Sequence, residues 1–181
     1  MTTSLRSTII GQLGWTWRDH VSTAPITDNN RLQSIQSLAN GTGANQADAV
    51  WHAEDQSLAG GASTTLELDA LEKELFGQTI FVSLLTVRAL LLVNTNSSGD
   101  GYLLVGGAAG DPWYAPFGSA GDTVKVMPGG LLLLANPGAG WDVQVGASDL
   151  KIAAVDEAVG YDVAILGTTT PGGSSSSSSG A

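Results

Sequence analysis

Cysteine is absent from this chain of 181 residues, which excludes a disulfide, a thiolate zinc site and a cysteine nucleophile. Basic residues are scarce. Seven Lys and Arg stand against 17 Asp and Glu, a formal net charge of −10 at pH 7, so the chain repels phosphate backbones and no nucleic acid is expected as a partner. Histidine occurs only at His20 and His52. A hydrolytic triad needs a base beside its nucleophile and a carboxylate to orient the base; neither histidine is followed by such a set and no G-x-S-x-G elbow occurs, so no catalytic residue and no enzyme is expected. Long apolar runs are missing as well. Met1 to Gly14 holds one charged side chain, Arg6, without a signal-peptide core, and the longest apolar stretches are strand-sized. Cytoplasmic synthesis, a soluble chain and no membrane partner are the expectation.

What is present is glycine, 24 residues of it, with 43% hydrophobic residues. Residues 1–48 are polar and rich in Thr, Ser, Asn and Gln, which reads as an extended arm. Within it Trp15 and Trp17 share one face of any strand, because alternate side chains point the same way. Two large rings in a thin arm need a surface to dock on, in the main domain or a neighbour. Residues 49–168 alternate short apolar runs with Gly, Pro, Asn and Asp turns, the pattern of an all-β, antiparallel β-sandwich of jelly-roll-like kind. Strands are expected at Trp51–Gln56, Thr64–Leu68, Thr79–Leu85, Val87–Asn94, Tyr102–Val105, Thr123–Met127, Leu131–Ala135, Trp141–Val145, Leu150–Ala153 and Tyr161–Leu166. A helical turn is expected at Asp69–Leu75, where Leu68, Leu71 and Leu75 share a face. Residues 169–181, Gly and Ser with six consecutive serines, read as a disordered tail.

Two strands are apolar on both faces, Ala89 to Val93 and Leu131 to Leu134. A small sandwich keeps one face wet, so these strands either lie under the arm or meet another subunit. Leu90, Leu92, Leu131 and Leu133 are the expected oligomer or capsid contacts.

Other constellations carry less chemistry. Gly41-Thr42-Gly43 starts like a dinucleotide fingerprint, but the third glycine position is Gln46 and no βαβ unit surrounds it; a flexible joint is the expectation. Asn94 to Gly99 resembles the first half of a calcium loop, yet its twelfth position is Val105, so a hairpin turn is expected. Asp100, Asp111, Asp122, Asp142 and Asp149 are read as solvated turn carboxylates, with no metal and no cofactor called for. The adjacent pairs Glu54-Asp55 and Asp156-Glu157 point to opposite faces if extended, which a glycosidase does not use. Trp113, Tyr114 and Trp141 form an aromatic cluster that reads as core packing, with a glycan platform as the alternative.

An ordered set of motifs runs from Asn40 to Thr168. It comprises Asn40-Gly41-Thr42-Gly43-Ala44-Asn45-Gln46-Ala47-Asp48, Trp51-His52, Thr65-Leu66-Glu67-Leu68 leading to Phe76-Gly77, and Val105-Gly106-Gly107-Ala108-Ala109. It continues through Ala115-Pro116-Phe117-Gly118, Val124-Lys125-Val126 with Pro128-Gly129-Gly130, Gly140-Trp141, and Tyr161-Asp162-Val163 before Ile165-Leu166-Gly167. In this set the chain resembles a group of tailed-bacteriophage virion structural proteins. The resemblance implies a β-sandwich component of the particle without enzymatic activity. The arm segment Trp15-Thr16-Trp17-Arg18-Asp19-His20 departs from it, and no arm contact is carried over.

The expected role is a capsid decoration or cement protein on the outer surface of the head, a homotrimer whose partners are itself and the major capsid protein or another virion protein. The alternatives are a receptor- or glycan-binding module of a tail or head fibre, and a neck or tail component.

Overall fold

A computed structural model describes residues 4–21, 24–75 and 77–169. The chain enters through two long strands, β1 (Ser7–Val21) and β2 (Ala24–Asn40), followed by β3 (Gln46–Ala47), β4 (Ala49–Leu58) and β5 (Ser63–Glu67). A small excursion, β6 (Leu71–Leu75) and β7 (Gln78–Val82), precedes β8 (Leu84–Asn94), β9 (Tyr102–Gly106), β10 (Thr123–Val126) and β11 (Leu131–Ala135). The short β12 (Trp141–Asp142) leads to β13 (Asp149–Val155) and β14 (Val159–Thr169). No helix occurs among the described residues.

Two antiparallel sheets make the body. One runs β10-β9-β13-β5 and the other β11-β8-β14-β4, with β12 also on β8. Among these eight main strands in chain order, the second sheet therefore holds the sixth, third, eighth and first, and the first sheet the fifth, fourth, seventh and second. Alternation explains the core. On β13 the inward Leu150, Ile152 and Ala154 are buried while Lys151, Ala153 and Val155 are half-buried. From the opposite sheet Leu90 faces Ile165 and Leu92 faces Val163 in register, and all four are buried with Trp51, Leu103 and Val105 in one continuous cluster.

Three local expectations are corrected. The helical turn at Asp69–Leu75 is a reverse turn, closed by Ala70 N–H donating to the Glu67 carbonyl, that feeds strand β6. A tight turn brings Leu68 and Leu71 to the same core much as a helix would, so the spacing did not distinguish them. The expected strand Trp141–Val145 is only Trp141–Asp142. Finally, the sandwich runs through Thr169, whose N–H and hydroxyl both bond the Asp48 carboxylate; the remainder of the expected tail lies outside the described residues.

Candidate assembly surface

The arm is a hairpin. β1 and β2 pair antiparallel through 15 residue pairs, from Ser7 with Leu38 to Val21 with Ala24. Facing residues share a side of the ladder, so one side carries Ile9, Leu13, Trp15 and Trp17 from β1 with Ile26, Leu32 and Leu38 from β2. The other side carries one apolar pair, Ile10 with Ile35, amid Thr8, Gln12, Thr16, Asn29, Gln33 and Ser37. The first side, which also holds Ser7, Asp19, Asp28, Asn30, Ser34 and Gln36, thus gathers most of the hairpin's large apolar residues, although residues 1–48 look short of such groups when read as a single strand.

Only the root of the apolar side is covered. Ile9 and Leu38 are buried with Ala47 against Ala89 and Leu166 of the body, with Leu5 and Leu133 packed around them. Gly11 lies over Leu133, whose Cδ2 is 3.9 Å from the position a Cβ would take there. Leu133 is on the edge strand of its sheet. Gln12–Arg18 and Ile26–Ser37 are exposed at every residue, with Leu13 at 68% and its partner Leu32 at 72%. Trp15 Nε1 donates to Asp28 Oδ2 at 2.7 Å, which pins that ring along the ladder without covering it.

The joint between arm and body is clamped, which corrects the flexible joint expected at Gly41-Thr42-Gly43. β2 and β3 pair in parallel across it. Asn45 N–H donates to the Pro137 carbonyl at 2.9 Å, and Leu5 N–H to Asn40 Oδ1 at 2.8 Å. Arg88 is buried on β8, where Nη1 donates to the Gly138 carbonyl at 2.7 Å and Nη2 to the Gly43 and Thr42 carbonyls at 3.0 and 3.4 Å. Its charge is spread over backbone oxygens of the joint and of the loop beneath it. Each such bond to a charged donor contributes about 1.5–3 kcal/mol. A strand position that reads as one polar interruption in an apolar run is therefore a rivet for the arm.

The sheet face that receives the root continues beyond it. Register places Leu131 beside Val93, Leu133 beside Leu91, and Ala89 beside Leu166 and then Val50, all on the outer side. The root covers Ala89, Leu133 and Leu166; Leu91, Leu131 and Val50 remain exposed. Of the contacts expected from sequence, Leu131 and Leu133 are on this face, Leu131 open and Leu133 under Gly11. Leu90 and Leu92 are not: both are fully buried in the core, and the residue that serves the surface is Leu91. In a strand apolar on both faces the sequence holds no signal for which parity is inward. Nor is β11 central, as doubly apolar strands usually are; it is an edge strand.

The aromatic cluster forms the opposite kind of feature. Trp113 is 1% exposed, its Nε1 donates to the Asp142 carbonyl, and its ring meets Phe117 and Trp141 edge-on at centroid distances of 6.1 and 6.5 Å. As a stacking platform Trp113 is excluded by burial. Tyr114, exposed, and Trp141, half-buried, line an open cleft of about 400 Å³ with Asp142 and Gln144.

The polar candidates are structural. Asn94 is fully buried, its amide donates to the Val126 carbonyl at 3.2 Å, and its Oδ1 accepts from Asn96 N–H, so the loop that resembles half a calcium site is a stapled turn. Burial first, and then Glu67, Asp111 and Asp69, push the Asp149 carboxyl above its ordinary value. No group of three His, Asp or Glu able to hold a metal ion occurs among the described residues. His52 is an exposed strand residue 3.5 Å from Glu54, and the His20 side chain lies outside the described residues.

Comparison of the chain with protein-family models, curated proteins and solved structures returns no match.

Proposed function

We propose that this chain is a non-enzymatic virion structural protein, a capsid decoration protein of a tailed bacteriophage that assembles through its arm and outer sheet face. The observation that carries the reading is the hairpin: 15 residue pairs, docked at the root and bare beyond it. A two-stranded ladder in water is marginal on its own, so an arm of this length with an apolar side reads as half of an interface. The body supports the same reading. Its strand order, with first, third, sixth and eighth strands in one sheet and second, fourth, fifth and seventh in the other, is that of a double-Greek-key jelly roll, a fold used by viral shell proteins and lectins. The resemblance of residues 40–168 to phage virion proteins adds the setting.

The mechanism is mass action on a lattice. A protein that binds only the assembled shell stabilises that state, and many weak arm contacts add through effective concentration. The net charge of −10 suits a position outside the shell, away from packaged DNA. Reconstruction of a particle that contains this protein tests the proposal. Density for symmetric sandwiches on the head exterior, with hairpins reaching across neighbours, is the expected result; density confined to the tail, or a hairpin free of contacts, overturns it.

A further inference from the structure

The apolar side of the arm and the apolar outer face of the body both continue past the point where they meet. At the root they are already one interface, Ile9 and Leu38 on Ala89 and Leu166. Outward along the arm come Leu13, Leu32, Trp15 and Trp17, and outward along the sheet come Leu91, Leu131 and Val50, all exposed. We infer that the bare part of the arm of one copy lies on the bare part of the outer sheet of a second copy, so that identical chains exchange arms in a closed assembly. This deepens the assembly reading and rests on it, by naming the partner as a second copy of this chain.

Three observations select that occupant. The first is continuity of chemistry, since the docked root already shows this side of the hairpin burying on this face of the sheet. A chain cannot close the match within itself while the arm passes over Leu133 on the edge strand and its ladder holds 15 pairs in register.

The second is charge. In residues 1–48, Arg6, Arg18 and Arg31 balance Asp19, Asp28 and Asp48, so the whole net charge of −10 belongs to residues 49–181. Two bodies repel each other, whereas the arm as a whole adds no net charge; Asp19 and Asp28 lie on its apolar side and Arg18 and Arg31 on the other.

The third is reach. The ten steps from Gly11 to Val21 extend roughly 33 Å at about 3.3 Å each, and the four strands of the receiving sheet span roughly 14 Å at about 4.8 Å spacing. The overhang is long enough to cross the neighbour's sheet completely. Because the arm and the patch are different surfaces, two copies can exchange arms reciprocally, and more copies can pass them head-to-tail into a ring where the rotation closes.

The absence of native cysteine makes the test direct. Leu32→Cys and Leu131→Cys chains, co-expressed with tags of different length and oxidised, give a covalent heterodimer on a denaturing gel. Pairing Leu32→Cys with Val145→Cys, an exposed site off the patch, gives none. Light scattering of the full-length protein reports an oligomer that Leu13→Asp with Leu32→Asp, and separately Leu131→Asp, each convert to a monomer with the melting temperature of the body retained. A native chain that stays monomeric, or an oligomer that survives both sets of variants without the Leu32–Leu131 cross-link, overturns arm exchange. A monomer that still decorates particles through its arm overturns the second copy as partner while leaving the assembly reading standing. A cross-linked oligomer that occurs on no particle does the reverse.

Discussion

The hairpin and the sandwich use the same residue types to opposite ends. Leu92 in β8 and Leu13 in β1 lie in well-paired antiparallel strands, yet one is fully buried between two sheets and the other is 68% exposed on a ladder with no second layer. A strand acquires its stability from what lies across its face, not from its ladder alone, because the ladder exchanges water bonds for protein bonds at a small net gain. The body is complete by that measure. The arm beyond Gly11 is not: Leu13, Trp15, Trp17, Ile26 and Leu32 share one side of it, among Asp19, Asp28 and Asn30, with no second layer.

Truncation of like residues separates the two regions most strongly. Leu92→Ala should cost about 2–5 kcal/mol in urea unfolding, whereas Leu13→Ala should change the dilute, dissociated chain by no more than about 0.5 kcal/mol. Equal losses at the two sites mean that the arm already has its second layer.

Next comes the joint. Arg88→Met leaves the Gly138, Thr42 and Gly43 carbonyls without their donor, with an expected loss of about 2–4 kcal/mol and faster amide exchange at residues 39–47. Unchanged exchange there would show that packing of Ile9 and Leu38 alone fixes the arm. Deleting residues 1–40 should then leave a folded body with a melting temperature lower by a few degrees, on the order of the burial lost at Ala89, Leu133 and Leu166. An unfolded product would place the hairpin within the core.

The smallest effect lies in the other sheet, on β13. The folded protein holds the Asp149 proton more tightly than the unfolded chain, so the contribution of this group is fully present below its ordinary value of 3.8 and is lost as pH rises through the raised folded value. Asp149→Asn should therefore raise the melting temperature slightly at pH 7, with the difference vanishing below pH 3.8, as a calorimetric pH series would show.

Much of the body is legible in the residues. Leu131–Ala135 was placed by its apolar run between Pro128-Gly129-Gly130 and Asn136-Pro137-Gly138, and it is β11 without a residue's change. The expected Thr123–Met127 and Tyr102–Val105 each differ by one residue from β10 and β9, since turns bracket them. The hairpin was harder to read. Between Val21 and Ala24 the sequence is Ser22-Thr23, without the Asn-Gly or Asp-Gly pair that announces a two-residue reversal. Without that reversal Ile26, Leu32 and Leu38 cannot be aligned with Asp19, Leu13 and Ser7, and the apolar side falls apart into isolated residues. The outer patch was half legible for a different reason: period-two reasoning finds the surface only when one parity is polar, and β8 and β11 offer none. Arg88 is a warning of the same sort, a charge inside an apolar run that marks a buried attachment.

That attachment bears on how the arm finds what it binds. A tether swinging from a loose Gly-Thr-Gly joint would sample a wide cone and lose that freedom on capture, a loss counted in kilocalories per immobilised segment. With Arg88, Asn45 and the β2–β3 pairing holding its base, the arm meets a partner already aimed, and the entropy of aiming was spent when the chain folded.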